Sequence, residues 1–224
     1  MSDQKADLEW RDDAIPVSTR FDDPYFSLEN GLAETRHVFL GGNGLPARFQ
    51  PGFHIAELGF GTGLNLLTAW AAWEESGQKG PLRFTSFEAY PMDADEMAKA
   101  LSAFPELAGR ASRLVAAWGQ DPTLSTLDGI DAQVIIGDAR QTLPEQQWQA
   151  DAWFLDGFSP AKNPELWDSE LMAEVGRHTK PGGSAATYTA AGFVRRGLAD
   201  AGFDVERIKG FGRKRHMTVA RMAS

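Results

Sequence analysis

One local pattern recurs along most of this chain: a short apolar strand, a break at a glycine or an acidic residue, then a helix. It is clearest early on. His54-Ile55-Ala56-Glu57-Leu58 reads as a strand, Gly59-Phe60-Gly61-Thr62-Gly63 as a tight turn, and Leu64 to Glu75 as a helix with Leu64, Leu67 and Ala71 at helical spacing. Alternation of this kind implies a parallel sheet with helices on both faces. Such sheets bind ligands beyond the carboxyl ends of their strands, near the point where the strand order reverses. The residue that follows each strand is therefore the one to read for chemistry.

Six more strands follow. Leu82–Phe87 is closed by Glu88, Ala132–Ile136 by Gly137-Asp138, and Ala152–Leu155 by Asp156; Ser184–Tyr188 comes next. Phe203–Ile208 and Met217–Arg221 are too close in sequence for a helical crossover, so they pair antiparallel. Helices are expected at 94–101, at 165–179 up to Pro181-Gly182-Gly183, and at 193–201 with Gly202 as cap. The stretch 103–130 is longer than a plain crossover needs and predicts an additional helix or irregular insert. Residues 1–53 read as an N-terminal extension packing on a core of residues 54–224. Within it, 35–40 fits either a strand or a helix end, and Gly42-Asn43-Gly44 suggests a hairpin.

Composition narrows the chemistry. There are no cysteines, which excludes disulfides, thiolate catalysis and cysteine zinc sites. The four histidines are scattered without an H-x-x-x-H pair, so no metal site is expected. No run of 18 apolar residues occurs, and the start, MSDQKADLEW, is unlike a signal peptide. A soluble, cytoplasmic protein is expected. The net charge of −9 argues against a general nucleic-acid coat protein.

The strand ends specify a ligand. Gly59, Gly61 and Gly63 allow a sharp turn and close backbone approach. Their G-x-G-x-G spacing differs from the dinucleotide G-x-G-x-x-G and suits a carboxylate-bearing tail better than a pyrophosphate. Glu88 can accept both hydroxyls of a ribose. Asp138 can accept from an adenine amino group, or else cap a helix over 139–143. Together they describe an adenosine with a zwitterionic tail, in the order found in class I S-adenosylmethionine-dependent methyltransferases. Asp156-Gly157-Phe158-Ser159-Pro160 is similar to the D/N-P-P-aromatic element of amino-group methyltransferases. A carboxylate there can orient an amine and accept its hydrogens, and an aromatic ring such as Phe158 can stack on a base. Near the C-terminus Lys209, Arg213, Lys214, Arg215 and His216 form a basic cluster suited to RNA phosphates, with Arg195 and Arg196 nearby in sequence.

Several longer segments carry a resemblance. They are Asp23-Pro24-Tyr25-Phe26-Ser27, Gly31-Leu32-Ala33-Glu34, Val38 to Asn43, Glu57 to Asn65, Phe154 to Pro164, and Gly210 to Arg215. On these the chain resembles the tRNA 5-methylaminomethyl-2-thiouridine methyltransferase family, the MnmC methyltransferase domain and its stand-alone MnmD form. The resemblance implies a class I, Rossmann-like α/β fold with a mostly parallel seven-stranded sheet. It implies methyl transfer from S-adenosylmethionine to the aminomethyl nitrogen of a tRNA wobble uridine. It places Gly59, Phe60, Gly61, Thr62, Gly63, Asn65, Glu88 and Asp138 at the cofactor, with Tyr25, Phe26 and Ser27 closing its pocket. Asp156 and Phe158 fall at the modified base; Lys162, Lys209, Arg213, Lys214 and Arg215 fall at the tRNA. Family members often continue into an FAD-dependent oxidase domain that makes the aminomethyl substrate, so such a domain or protein is an implied partner. The competing readings are an N-methyltransferase of a small amine, a non-catalytic cofactor-binding module and an NAD oxidoreductase.

Overall fold

The computed structural model describes residues 5–27, 30–124 and 127–224. The N-terminal extension and the 103–130 insert are therefore seen without residues 1–4, 28–29 and 125–126.

The chain begins with a small antiparallel sheet that sequence reading did not anticipate: β1 (Leu8–Arg11), β2 (Ile15–Ser18) and β3 (Asp23–Pro24). Its first turn is made by Asp12 and Asp13, both at left-handed φ (52° and 54°), with Ala14 N–H donating to Arg11 O. That is hairpin-turn geometry, and aspartate tolerates it better than most residues.

Helix α1 (Gly31–Thr35) is capped by Asn30, whose side chain accepts from Ala33 N–H, and it runs on into a π-helical turn at Arg36–Gly41. Residues 35–40 are thus helical. The hairpin expected at Gly42-Asn43-Gly44 does not form. Gly42 keeps a right-handed φ of −59°, and Asn43 is buried. The Asn43 amide donates to Phe39 O and Trp153 O and accepts from Ser184 Oγ. The segment ends the helix and pins it to the central sheet.

That sheet has seven strands: β4 (His54–Leu58), β5 (Arg83–Glu88), β6 (Asp131–Ile136), β7 (Ala150–Leu155), β8 (Thr179–Thr187), β9 (Phe203–Lys209) and β10 (His216–Met222). Their order is β6-β5-β4-β7-β8-β10-β9, with β10 antiparallel to both neighbours. The order reverses between β4 and β7, and the functional site lies there. Strand β8 starts earlier than the sequence suggests. It runs through Pro181-Gly182-Gly183 with a register shift against β7, an irregularity that absorbs a proline a regular ladder would reject.

Helices cover both faces. On β7, Ala152 and Phe154 join one apolar cluster, while Trp153 and Leu155 join the other, as the two-residue period of a strand requires. The first cluster packs α2 (Leu64–Glu75), α3 (Ala94–Leu101), α4 (Ala108–Gln120) and the Leu32–Phe53 segment. The second packs the short α5 (Ala139–Thr142), α6 (Ser169–Arg177) and α7 (Gly192–Asp200). Helix α4 is the additional helix expected in the insert, and a short turn at Pro164–Trp167 separates the start of the expected 165–179 helix from α6. Each fully buried Leu- or Phe-sized side chain contributes roughly 1.5–3 kcal/mol, so the strand ends stand on a stiff support. This is the class I, Rossmann-like methyltransferase fold expected from the sequence.

Candidate active site

A cavity of about 610 Å³ opens at the carboxyl ends of the central strands. Gly59 and Gly61 line it after β4, Glu88 at the end of β5, Asp138 after β6, Asp156 after β7 and Tyr188 after β8.

The glycine loop is held tightly. At Gly59 (φ 83°) an added Cβ would lie 3.1 Å from Asp156 O and from Gly157 Cα. The loop therefore rests directly on the next strand end, with no room for a side chain. Gly63 (φ 77°) does not line the cavity. It turns the chain into α2, and a Cβ there would meet Leu114 Cδ2 at 2.6 Å. Phe60 also faces inward, stacked on Trp118 at 5.0 Å.

Glu88 and the loop form one unit. Its Oε2 accepts from Gly61 N–H and its Oε1 from Tyr90 N–H, both at 2.8 Å. Phe60 and Ala89 N–H also act on this carboxylate, which lines the cavity. Burial pushes the Glu88 carboxyl above the ordinary range, and the backbone N–H groups oppose that rise. Tyr25 stands beside it; burial and the Glu88 charge keep the phenol protonated. Phe26 packs edge-on against Phe104, and Ser27 is on the cavity wall. Asp138 lines the cavity but also caps α5: its carboxylate accepts from Arg140 N–H and pairs with the Arg140 guanidinium, which holds its pKa down.

At the fourth strand end the polar groups form a chain. Ser86 Oγ donates to Glu57 Oε2, Asn65 Nδ2 donates to both Glu57 Oε1 and Asp156 Oδ2, and Gly157 N–H donates to Asp156 Oδ1. Burial raises the Asp156 pKa from 3.8 to about 6, against the lowering effect of those hydrogen bonds and of Lys214. Glu57, fully buried on β4, is driven well above its ordinary value by the same desolvation. Phe158 belongs to an aromatic wall. Phe21 stacks on it at 4.7 Å and Tyr25 meets it edge-on at 4.9 Å. One ring face is therefore already covered.

The expected tRNA residues separate. Lys162 Nζ bonds Asp22, with Asp23 Oδ1 at 3.7 Å, and Ser159 N–H donates to Asp23. It ties the N-terminal sheet to the Asp156 loop and lies outside the cavity lining. Lys209, Arg213 and Arg215 are exposed around the β9–β10 turn. Lys214 alone of that turn reaches inward to line the cavity.

A family model described as S-adenosyl-L-methionine-dependent methyltransferase matches residues 106–223, more than half of the chain. The chain belongs to this family. Among solved structures, this methyltransferase is similar to MnmC2 from Aquifex aeolicus, at 27% identity and a TM-score of 0.80, over 99% of this chain and 72% of that one. That likeness accords with the resemblance read from the sequence. A methyltransferase from Pyrococcus furiosus (16% identity, TM-score 0.52, 98% and 90% covered) shares the fold. So does precorrin-6y C5,15-methyltransferase from Geobacter metallireducens (14% identity, TM-score 0.52, 95% and 96% covered).

The residues present fit S-adenosylmethionine, the cofactor of this family. The cavity is within the roughly 300–1,000 Å³ of small-molecule sites, and it is lined by the Glu88 carboxylate and by Gly59 and Gly61, where the backbone itself carries no side chain. Among the described residues no helix is long and apolar enough to cross a membrane.

Sequence reading assigned no site role to Glu34, Glu57 or Tyr188. Two of them had a signal. Glu57 is an acid inside an otherwise apolar strand buried on both faces, where a charge needs a reason. Tyr188 ends a core strand, as Glu88 and Asp156 do. Glu34 lies in a segment that carries the family resemblance, but its place in the site comes from the packing of α1.

Proposed function

We propose that this methyltransferase transfers a methyl group from S-adenosylmethionine to the aminomethyl nitrogen of 5-aminomethyl-(2-thio)uridine at the wobble position of tRNA. The observation that carries the reading is the Asp156 carboxylate, held at two points beside the glycine loop in a pocket walled by aromatic rings. The sequence resemblance and the likeness to MnmC2 support the same substrate.

S-adenosylmethionine supplies an electrophilic methyl group. In this reading Glu88 holds the ribose, the Gly59–Gly63 loop and Asn65 the methionine end, Asp138 the adenine, and Tyr25, Phe26 and Ser27 close the pocket. Asp156 acts on the acceptor. A primary amine attacks only when deprotonated, because the ammonium has no lone pair. With a pKa of about 6, Asp156 is largely ionised at neutral pH yet more basic than an ordinary aspartate. It can hold the amine by its hydrogens and stabilise the ammonium that forms on alkylation. Asn65 fixes which oxygen faces the acceptor. Positioning of the two reactants contributes much of the acceleration. Phe158 supplies one face to the uracil ring, its other face being braced by Phe21. Arg213, Arg215 and Lys209 contact phosphates around the anticodon, and an FAD-dependent oxidase domain or protein supplies the aminomethyl form. Residues 1–53 serve as the extension that closes the site over the 54–224 core.

The test is incubation with labelled S-adenosylmethionine and tRNA lacking this modification, followed by nucleoside analysis. Label in the methylaminomethyl nucleoside supports the reading; no label in tRNA, with transfer to small amines instead, refutes it. Charge reversal at Arg213 and Arg215 should abolish transfer to tRNA while sparing the free nucleoside.

A further inference from the structure

Lys214 is the exception in its own turn. Like Arg213, Arg215 and His216 it is exposed, its side chain at 47%, but it alone of them also lines the active-site cavity. There Nζ lies 2.7 Å from Glu34 Oε1 and 4.3 Å from the ring centroid of Tyr188. The Glu34 side chain is 12% exposed and belongs to α1. Tyr188 is fixed by its hydroxyl, which donates to Gly157 O, so its ring face is presented in a set direction beside Asp156. A buried carboxylate opposite an aromatic face is a receptor for a cation.

The cation seated in it is the –CH2–NH3⁺ end of a lysine, chemically the same group as a protonated aminomethyl substituent. We propose that Glu34 and the face of Tyr188 form the entry subsite that receives the substrate's primary ammonium, which passes a proton to the Glu34 carboxylate or to water before the free amine meets Asp156, and that Lys214 occupies this subsite in the free protein. This inference rests on an amine being the methyl acceptor, as in the function proposed above.

Exchange of one ammonium for another keeps the ion pair and the cation–π contact, so entry of the substrate leaves no buried charge unpaired. The released Lys214 rejoins a turn whose other cations face outward, where RNA phosphates can hold it. Docking of the nucleic acid and opening of the amine subsite then favour each other, and that coupling is reciprocal. An uncharged analogue gains nothing from the exchange, because it would displace Lys214 without pairing Glu34. The subsite thereby selects amines over alcohols.

The test is calorimetric titration of protein saturated with S-adenosylhomocysteine, using 5-aminomethyluridine and its uncharged counterpart 5-hydroxymethyluridine. Wild type should bind the amine at least about tenfold more tightly. Glu34→Gln should erase the preference with S-adenosylhomocysteine affinity kept within about twofold, and Lys214→Met, on an exposed turn, should tighten amine binding severalfold. A preference that persists in Glu34→Gln, or weaker amine binding in Lys214→Met, overturns the proposal. Amine preference without methylation of tRNA would leave the subsite standing and remove the proposed function. Methylation of tRNA with equal binding of the two nucleosides would do the reverse.

Discussion

Replacing Asp156 with asparagine should make the protein more stable while it slows methyl transfer by about 100-fold or more. Burial lifts this carboxyl from 3.8 to about 6, and the difference is a free energy stored against the charged form. At about 1.4 kcal/mol per pH unit, ionised Asp156 costs about 3 kcal/mol of folding stability at pH 8. Because the folded pKa is the higher one, its stabilising effect is complete below the unfolded value near 4. That effect is lost as pH rises through 6. At pH 5 the cost is thus about half as large. Asparagine removes the charge but leaves Gly157 N–H facing an amide rather than a carboxylate oxygen, a loss of about 1 kcal/mol. The net expectation is a variant about 2 kcal/mol more stable at pH 8 and about 0.5 kcal/mol more stable at pH 5. Urea unfolding of both proteins at both pH values measures this, with a rise in Tm of about 4–8 °C at pH 8. A variant less stable than wild type at pH 8, or a gap that does not shrink at pH 5, would refute the reasoning.

Three further expectations follow from the same geometry. Glu88→Gln should weaken S-adenosylhomocysteine binding by about 10–100-fold, the worth of a charge-assisted hydrogen bond; unchanged affinity in calorimetry would take the ribose role from Glu88. Gly63→Ala combines a left-handed φ of 77° with a 2.6 Å approach to Leu114; a cost of about 3 kcal/mol should lower Tm by about 6–12 °C, and a shift under 2 °C would show that α2 adjusts freely. As pH falls below about 6, protonation of Asp156 should remove a further factor of ten per pH unit from kcat/KM for the acceptor. Asp156→Asn should lack that extra slope, and a slope shared by both proteins would assign the titration to another group.

The fold was legible where local pattern and tertiary demand coincide. The strand at 54–58, the helices at 64–75 and 94–101, and the closing antiparallel pair all stand where hydrophobic period and turn residues place them. Reading failed where packing overrides local signals. Gly42-Asn43-Gly44 looks like a hairpin, but the buried Asn43 amide has partners more than 100 residues away. The Asp12-Asp13 turn carries no glycine to announce it. The site shows the same division. Glu88 and Asp156 follow from the rule of strand ends, whereas Lys162 and Lys214 read as tRNA contacts, with nothing local to show their carboxylate partners. Their partners, Asp22 and Glu34, come from much earlier in the chain. The cap made by Asp138 was one of two roles its sequence position allowed, and the contact with Arg140 N–H is present.

The most direct measurement is a crystal structure with S-adenosylhomocysteine bound. The account predicts ribose hydroxyls on the Glu88 carboxylate and the sulfur turned toward Asp156, with the amino-acid tail along the Gly59–Asn65 loop. A nucleoside bound elsewhere, or a sulfur directed away from Asp156, would contradict it.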